Sequence, residues 1–174
     1  MKDYWLAKLI GSVGEVDSRK RLQKSIYLLQ QRTGCPLRLS YILHYYGPYS
    51  FELAGLIDQL KGADIIDETA DVLSPSVVRY KSKISKKGRR VLVNFQKSKT
   101  GTEVYGQIKP FISYFQDLNG EDLWPLELAA TVAYFYEGSW PKAKTQTAKF
   151  KHLEEKDRTL KEATAIAGRF VTTR

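Results

Sequence analysis

The chain has 174 residues, of which 43% are hydrophobic, and 28 Lys and Arg against 19 Asp and Glu give it a net charge of +9. No stretch reaches the roughly 18 uninterrupted apolar residues of a membrane span, since the longest candidate, residues 123–136, contains Pro125 and Glu127. The single Cys35 excludes an internal disulfide, and a start that carries Asp3 and lacks an apolar run predicts no secretory signal. The sequence therefore predicts a globular protein of the cytoplasm.

Two helices are predicted first. Residues 4–10 fit a short helix with its apolar side chains turned inward. A second helix begins after Ser18, a good N-cap, and apolar residues recur at helical spacing until Gly34 stops it.

A turn organises the next stretch. Residues 37–44 alternate apolar and polar side chains, which predicts a strand. Gly47 permits a tight turn, Pro48 fixes its own backbone angle, and Ser50 can cap a helix that starts at Phe51. The local prediction is a strand, a turn and a capped helix.

A β-hairpin is predicted after that helix ends at Gly62. Residues 64–68 and 77–84 resemble strands, and residues 69–76 form the loop between them. Ser85 then caps a helix whose predicted inward side chains are Val91, Leu92 and Phe95.

A second, charge-balanced half follows residues 99–101, which are predicted to be a linker. Residues 104–118 contain Pro110 and are either kinked or two pieces. An apolar helix runs to Tyr136, Gly138 stops it, and Pro141 and a helix at residues 160–170 complete a small bundle.

The order of these elements predicts the architecture. Helix, helix, strand, helix, hairpin and closing helix is the order of a winged-helix domain. We therefore expect an α+β fold, mostly α, with a winged-helix domain at residues 1–99 and a C-terminal helical bundle at residues 100–174 packed on it.

Three stretches resemble a known family. They are Arg21-Leu22-Gln23-Lys24-Ser25-Ile26-Tyr27-Leu28, Tyr46-Gly47-Pro48-Tyr49-Ser50 and Leu126-Glu127-Leu128-Ala129-Ala130-Thr131. Together they are similar to the bacterial YwgA-like family and, more distantly, to the Panacea (SocA-like) antitoxin domain. The resemblance spans residues 18–135. It implies a compact, largely helical regulator without a known active site, which in the Panacea group neutralises a toxin or acts as a protease adaptor.

The positive charge is concentrated in the first hundred residues, which hold 18 basic and 9 acidic side chains, against 10 and 10 in the rest. This asymmetry predicts a polyanion or an acidic protein as the partner. The candidate contacts are Arg19, Lys20 and Arg21 at a helix start, Arg79, Lys81 and Lys83 on one exposed face of the hairpin, and Lys86, Lys87, Arg89 and Arg90 at the next helix start. Cations at a helix start oppose its dipole, so a bound anion or an acidic neighbour would stabilise them.

Two functions remain open at this point. The first, which the basic stripe on the wing favours, is a regulator of transcription that binds DNA through that wing, mainly at the phosphate backbone. The second is an antitoxin-like neutraliser or adaptor that binds an acidic protein, which better suits the acidic Glu52 and Asp58 at the recognition-helix position. A homodimer is a further candidate assembly, and no membrane partner is expected.

The sequence offers no catalytic constellation, metal-ligand spacing or phosphate loop, so we expect neither an enzyme nor a cofactor. His44 and Cys35 are interpreted as a turn histidine and a packed thiol. Periodicity assigns Tyr41, Tyr80, Tyr134 and Tyr136 mainly to the core, and leaves Tyr46 and Tyr49 as candidate surface contacts at the turn.

Overall fold

A computed structural model of the protein describes residues 1–75 and 77–171. Its helices are α1 (Lys2–Gly11), α2 (Arg19–Gln30), α3 (Phe51–Gly62), α4 (Lys86–Gln96), α5 (Lys99–Ile108), α6 (Ile112–Gly120), α7 (Leu123–Tyr134), α8 (Trp140–Lys151) and α9 (Arg158–Gly168), with a 3₁₀ turn at Lys109–Phe111. The strands are β1 (Val16–Asp17), β2 (Ile42–His44), β3 (Gly47–Tyr49), β4 (Ile66–Ser74) and β5 (Val77–Ile84). The fold is α+β and mostly α, as predicted.

The strands form two small antiparallel sheets. One has the order β1-β5-β4, and the other is the pair β2-β3. Within the two described ranges, no helix combines the length and the apolar character needed to cross a lipid bilayer.

Serine side chains begin five of the helices. The Oγ atoms of Ser18, Ser50, Ser85, Ser98 and Ser139 each accept a hydrogen bond from the backbone N–H three residues ahead. Each bond satisfies an N–H that the first helical turn leaves without a partner. The caps predicted at Ser18, Ser50 and Ser85 are confirmed.

The strand predicted at residues 37–44 is wrong for most of its length, because only Ile42–His44 is a strand. The alternation itself is real, since Leu37 and Leu39 are buried while Arg38 is exposed. The backbone of Leu39 bonds to a side chain instead of a strand: its N–H donates to Gln30 Oε1 at 3.1 Å and its carbonyl accepts from Nε2 at 2.9 Å.

The hairpin loop predicted at residues 69–76 is also wrong, because β4 continues to Ser74. The β4-β5 ribbon is exposed near its tip, where both Val72 and Leu73 face solvent. This part of the strand therefore lacks the alternation of buried and exposed side chains by which strands are recognised. Ser76, also within the predicted loop, lies outside the described residues.

The linker predicted at residues 99–101 is the first turn of α5. Gly101 packs so closely that a Cβ there would lie 1.7 Å from the Phe95 carbonyl oxygen. This tight approach joins α4 to α5, and glycine signals contact here rather than flexibility. The break predicted at Pro110 is confirmed, since α5 and α6 are separate helices.

Two hydrophobic clusters share α2. Leu22, Ile26 and Leu29 lie in a first cluster, and Tyr27 and Leu28 lie in a second. The first cluster takes side chains from both sides of the predicted domain boundary, including Leu6, Ile10, Leu53, Ile57, Val104, Ile108 and Phe115. The second is built mainly by α7, α8 and α9. The boundary at residue 99 stays a prediction, and side chains from both halves pack together across it.

Candidate functional site

The turn between β2 and β3 is held against α7 by a glycine. Gly47 has a φ of +83°, and a Cβ on it would lie 2.5 Å from Thr131 Oγ1. No side chain fits at that distance, so glycine lets the backbone of β3 lie directly on α7.

Helix α2 clamps the end of the same turn. Gln23 Nε2 donates to the Ser50 carbonyl at 2.9 Å, and the Ser50 N–H donates to Gln23 Oε1 at 2.9 Å. Ser50 in turn caps α3, since its Oγ accepts from the Leu53 N–H at 3.1 Å. Because the nitrogen and the oxygen of the Gln23 side-chain amide both bond to the Ser50 backbone, the start of α3 is fixed relative to α2.

A buried lysine supports the centre of the turn. Lys24 is 2% exposed, and its Nζ donates to the Pro48 carbonyl oxygen at 2.7 Å. The pKa of Lys24 is lowered to about 8, chiefly because burial disfavours its charged form; Glu127 raises this pKa, and the cations Lys151 and Lys20 lower it.

Glu127 of α7 joins two more lysines to this cluster. Its Oε1 lies 2.5 Å from Lys151 Nζ and its Oε2 lies 3.3 Å from Lys20 Nζ. Lys151 Nζ also donates to the Tyr45 carbonyl at 2.9 Å, and Lys20 Nζ lies 3.9 Å from the centre of the Tyr46 ring. We call the residues 45–50 with Lys20, Gln23, Lys24, Glu127, Thr131 and Lys151 the turn site.

The turn site brings together the three stretches that carry the family resemblance. The first supplies Gln23 and Lys24, the second supplies Gly47 to Ser50, and the third supplies Glu127 and Thr131. Residues far apart in the sequence thus specify one local structure.

The chain is similar to YwgA. It is 28% identical to the uncharacterized protein YwgA of Bacillus subtilis (strain 168) over 134 residues, which cover 75% of this chain and 72% of YwgA. No family model matches the sequence. The similarity to YwgA supports the YwgA-like family that the three stretches predict.

The three predicted contact cations at the start of α2 have partners inside the protein. Arg19 donates to both carboxylate oxygens of the buried Glu68 at 2.7 Å and to Asp58 at 2.8 Å. Arg21 donates to the backbone carbonyls of Asn119 and Glu121 at 3.0 and 2.5 Å. With Lys20 bound to Glu127, acidic and carbonyl neighbours supply the stabilisation that the helix dipole required.

Two of the three predicted wing cations are also paired. Arg79 lies 3.3 Å from Asp17 of β1 and 3.3 Å from Asp71 of β4, and Lys81 lies 2.9 Å from Asp71. They share one face of β5 with Lys83, as predicted, but they are half-buried, so the expected fully exposed row is wrong. Only Lys83 is exposed.

The start of α4 differs from these places. Lys83, Lys86, Arg89 and Arg90 are exposed, and none of them has an ion pair among the described residues. Lys87 approaches only the exposed Asp64, at 3.5 Å.

Helix α4 also carries exposed apolar side chains. Val91, Val93 and Phe95 are exposed, which corrects the prediction that Val91 and Phe95 face inward. Val91 and Phe95 line a groove of about 380 Å³ that Tyr4 and Leu60 complete from α1 and α3. We call Lys83, Lys86, Arg89, Arg90, Val91, Val93 and Phe95 the α4 surface.

The residues considered for chemistry have ordinary environments. Cys35 is buried, and burial raises the pKa of its thiol, which disfavours the reactive thiolate. His44 is exposed, with its ring centre 5.8 Å from that of Tyr49. In residues 1–75 and 77–171 no three His, Cys, Asp or Glu side chains are gathered as a metal site would require.

Two of the four tyrosines that periodicity assigns to the core are exposed instead. Tyr80 and Tyr134 are exposed, which corrects their assignment to the core, while Tyr41 and Tyr136 are half-buried. At the turn, Tyr46 is exposed and Tyr49 is half-buried.

Lys24, Glu127 and Lys151 of the turn site were missed as a cluster. A single acid within the otherwise apolar residues 123–134 was a usable signal, because a buried carboxylate requires a cationic partner. Which lysines supply it depends on how α2, α7 and α8 pack.

Proposed function

We propose that this protein is a non-catalytic regulator that binds an acidic partner protein through the α4 surface. The observation that carries the proposal is the combination, on one helix, of exposed cations without ion pairs and exposed apolar side chains. Lys86, Arg89 and Arg90 lie one turn apart, so they present one basic face. Val93 continues that face and is 53% exposed.

Each part of the α4 surface suits a protein partner. Unpaired cations steer an acidic protein toward the surface, and buried apolar contacts supply most of the affinity. Val91 and Phe95 lie about 140° and 180° around α4 from Lys86, at 100° per residue, so their groove is a second contact area on another side of the helix. Contact with a nucleic-acid backbone requires the cations alone and gives no reason to expose Val93 among them.

The remaining architecture supports a regulatory module. The element order from α1 to α4, with the sheet order β1-β5-β4, supports a winged-helix domain. In that arrangement α3 takes the recognition position, and its exposed acids Glu52 and Asp58 are bound to Lys2 and Arg19. Acids there disfavour insertion into a phosphate-lined groove. The distant resemblance to the Panacea domain favours a toxin neutraliser or an adaptor.

DNA binding is the second candidate, and one observation favours it. Lys83 lies near the end of the hairpin, Lys86, Arg89 and Arg90 follow it, and all four are exposed and available for phosphates. In this version the end of β5 and the start of α4 contact DNA, mainly at its phosphate backbone. The affinity for DNA should therefore fall steeply as the salt concentration rises.

Charge reversal on α4 distinguishes the two candidates. Wild type and R89E/R90E are compared by affinity purification from the native host at low salt. Proteins that co-purify are then identified, and the absorbance ratio of the sample reports nucleic acid. We expect one acidic protein at a fixed stoichiometry with wild type and its loss with R89E/R90E. The matched control is K109E/K161E, which changes the net charge equally at exposed lysines without ion pairs in the described part of the chain.

A second variant separates the candidates further. V93S removes an apolar contact from the basic face without changing its charge, so on the proposed function it weakens capture of the partner, whereas contact with phosphates would be unchanged. Recovery of nucleic acid alone, together with a mobility shift that R89E/R90E abolishes, would overturn the protein-partner proposal in favour of DNA binding.

A further inference from the structure

We propose that the turn site binds a nucleotide, a ligand that combines a flat heteroaromatic ring with a phosphate group. The inference concerns a different surface from α4 and does not depend on the partner proposed there. It rests on two cavities that flank Tyr46, on the aromatic rings that line them, and on an excess of positive charge.

The larger cavity has aromatic walls. It measures about 250 Å³ and is lined by Tyr45, Tyr46, Trp124 and Phe150 with charged neighbours. The ring centres of Tyr45, Trp124 and Phe150 lie 5.9, 5.8 and 5.5 Å from Lys151 Nζ, so three rings lie near one ammonium group.

These rings are available to a ligand. Tyr45 is 73% exposed and Trp124 is 43% exposed, although both are large and partly apolar. Exposed aromatic side chains that converge on a cavity are a typical platform on which a flat ring stacks.

The second cavity shares Tyr46 with the first and is lined by Lys20 and Lys24. It measures about 190 Å³ and is bounded by α2, the turn and α3. Lys20 and Tyr46 line both cavities, so one ammonium group and one ring border each of them.

The charges around the two cavities do not balance. Among the described residues that line them, the lysines are Lys20, Lys24 and Lys151, whereas Glu127 is the sole acid. Arg19, also in the lining, pairs with Glu68 and Asp58, and Lys61 pairs with Glu68 as well, so these two cations balance these two acids. Two positive charges are therefore left over, next to a site of reduced dielectric constant.

The single acid does not repel an anion strongly. Both carboxylate oxygens of Glu127 are bound to lysines, and its side chain is 4% exposed. The side chain of Lys20 is 35% exposed, so a phosphate at the cavity mouth meets an ammonium group rather than the carboxylate. The lowered pKa of Lys24 fits the same picture, because an anion nearby would favour its charged form.

The site is also rigid before any ligand arrives. Gln23 holds Ser50 by two hydrogen bonds, Lys24 holds the Pro48 carbonyl, and Gly47 lies against Thr131. A preformed site loses less entropy on binding, which favours even a small ligand.

Calorimetric titration tests the proposal with AMP, GMP, CMP and UMP as probes, and with adenosine and inorganic phosphate as the two halves of the ligand. We expect at least one monophosphate to bind one to one, and both halves to bind at least tenfold more weakly. A short single-stranded oligonucleotide that competes for the site would identify the end of a strand as the natural source, whereas its failure to compete would identify the free nucleotide.

Substitutions locate the binding. Y45A and W124A should each weaken monophosphate binding about fivefold or more, since each removes a stacking ring. K20Q should weaken the monophosphate but leave adenosine unchanged. The matched control is F51A, because Phe51 is an aromatic residue, 70% exposed, that the described lining of neither cavity includes.

Three results would overturn the proposal: no monophosphate binds at millimolar concentration, inorganic phosphate alone binds as tightly as the monophosphates, or F51A weakens binding as much as Y45A. Thermal unfolding of each variant checks that it is folded. R89E/R90E should bind nucleotide normally, so failure of the α4 proposal and failure of this one are distinguishable.

Discussion

Two features of the structure require glycine at position 47, and each adds an energetic cost when Gly47 is replaced. Its φ of +83° is strained for any residue with a side chain, and Thr131 Oγ1 occupies the place of a Cβ. The first reason was visible in the sequence, because glycine before proline is a turn signal. The second was not, because Thr131 is distant in the sequence and meets the turn only through the packing of α7.

We predict that G47A lowers the free energy of unfolding by about 1–2 kcal/mol for the backbone conformation and by a further 1–3 kcal/mol, roughly, for overpacking. Urea denaturation measures the loss. G14A is the matched control, because Gly14 has a φ of +66° and nothing lies within 4 Å of its Cβ position, so only the first loss applies. Adding T131A to G47A should recover part of the second loss. Equal losses for G47A and G14A would contradict the close packing.

Lys24 makes stability depend on pH in a defined direction. Its pKa is about 8 in the folded protein against 10.5 for an unperturbed lysine. Between these values the unfolded chain binds more protons than the folded one, so stability rises with pH across this window. Below pH 8 both states are protonated, and the full cost of burying the charge is present.

We therefore predict that the free energy of unfolding of wild type, relative to that of K24M, increases by about 2 kcal/mol between about pH 8 and about pH 10. The comparison with K24M cancels groups that titrate in both proteins, such as Cys35 and the tyrosines. Denaturant unfolding at a series of pH values gives the difference. A difference that stays constant or falls across this window would mean that Lys24 titrates normally.

At the scale of elements, α2 organises its surroundings through two glutamines. Gln23 and Gln30 lie seven residues apart, hence on one face of the helix, and each clamps the N–H and carbonyl of one distant residue. Gln23 clamps Ser50 and Gln30 clamps Leu39. The two glutamines thus fix both ends of the segment that contains the β2-β3 pair, because Leu39 and Ser50 obtain from α2 the hydrogen bonds that a strand would obtain from a neighbour.

We predict that Q23L costs about 1–3 kcal/mol of stability, because it leaves the buried N–H of Ser50 without its partner, while the Ser50 carbonyl still accepts from the Ala54 N–H at 3.2 Å. Q30L is the matched variant. It breaks the same two bonds at a half-buried place where water can replace them, so its cost should be smaller. Chemical denaturation measures both. A larger cost for Q30L would show that burial does not decide the energies of the two clamps.

The helix starts illustrate what the sequence could predict. A serine cap is recognisable because the Oγ and the N–H that it accepts from are three residues apart, as at Ser18 and Ser85. Residues 37–44 were misread because the partner of Leu39 is a side chain of an earlier helix. The paired wing cations were misread for the same reason, since the strand β1, which supplies Asp17, is only two residues long. Local chemistry was predictable, and partners from other elements were not.

At the scale of the whole molecule, α2 connects the two hydrophobic clusters. It contributes Leu22 and Ile26 to the first and Tyr27 and Leu28 to the second, so neither cluster is complete without it. The break in composition near residue 100 suggested separate halves, because composition reports surface charge. It does not report that Trp5 Nε1 donates to the Val104 carbonyl at 3.0 Å.

The shared core predicts the behaviour of a fragment. Residues 1–99 alone would lose Val104, Ile108 and Phe115 from the first cluster and would expose the side of α2 that carries Leu28. Burial of such side chains stabilises by about 1.5–3 kcal/mol each, and a domain of this size is stable by only about 5–15 kcal/mol. We expect the fragment to lack a cooperative thermal transition and a dispersed amide NMR spectrum, whereas residues 1–174 show both. A dispersed spectrum from the fragment would instead establish residue 99 as a true domain boundary and confine the role of α5 and α6 to covering a core that is stable without them.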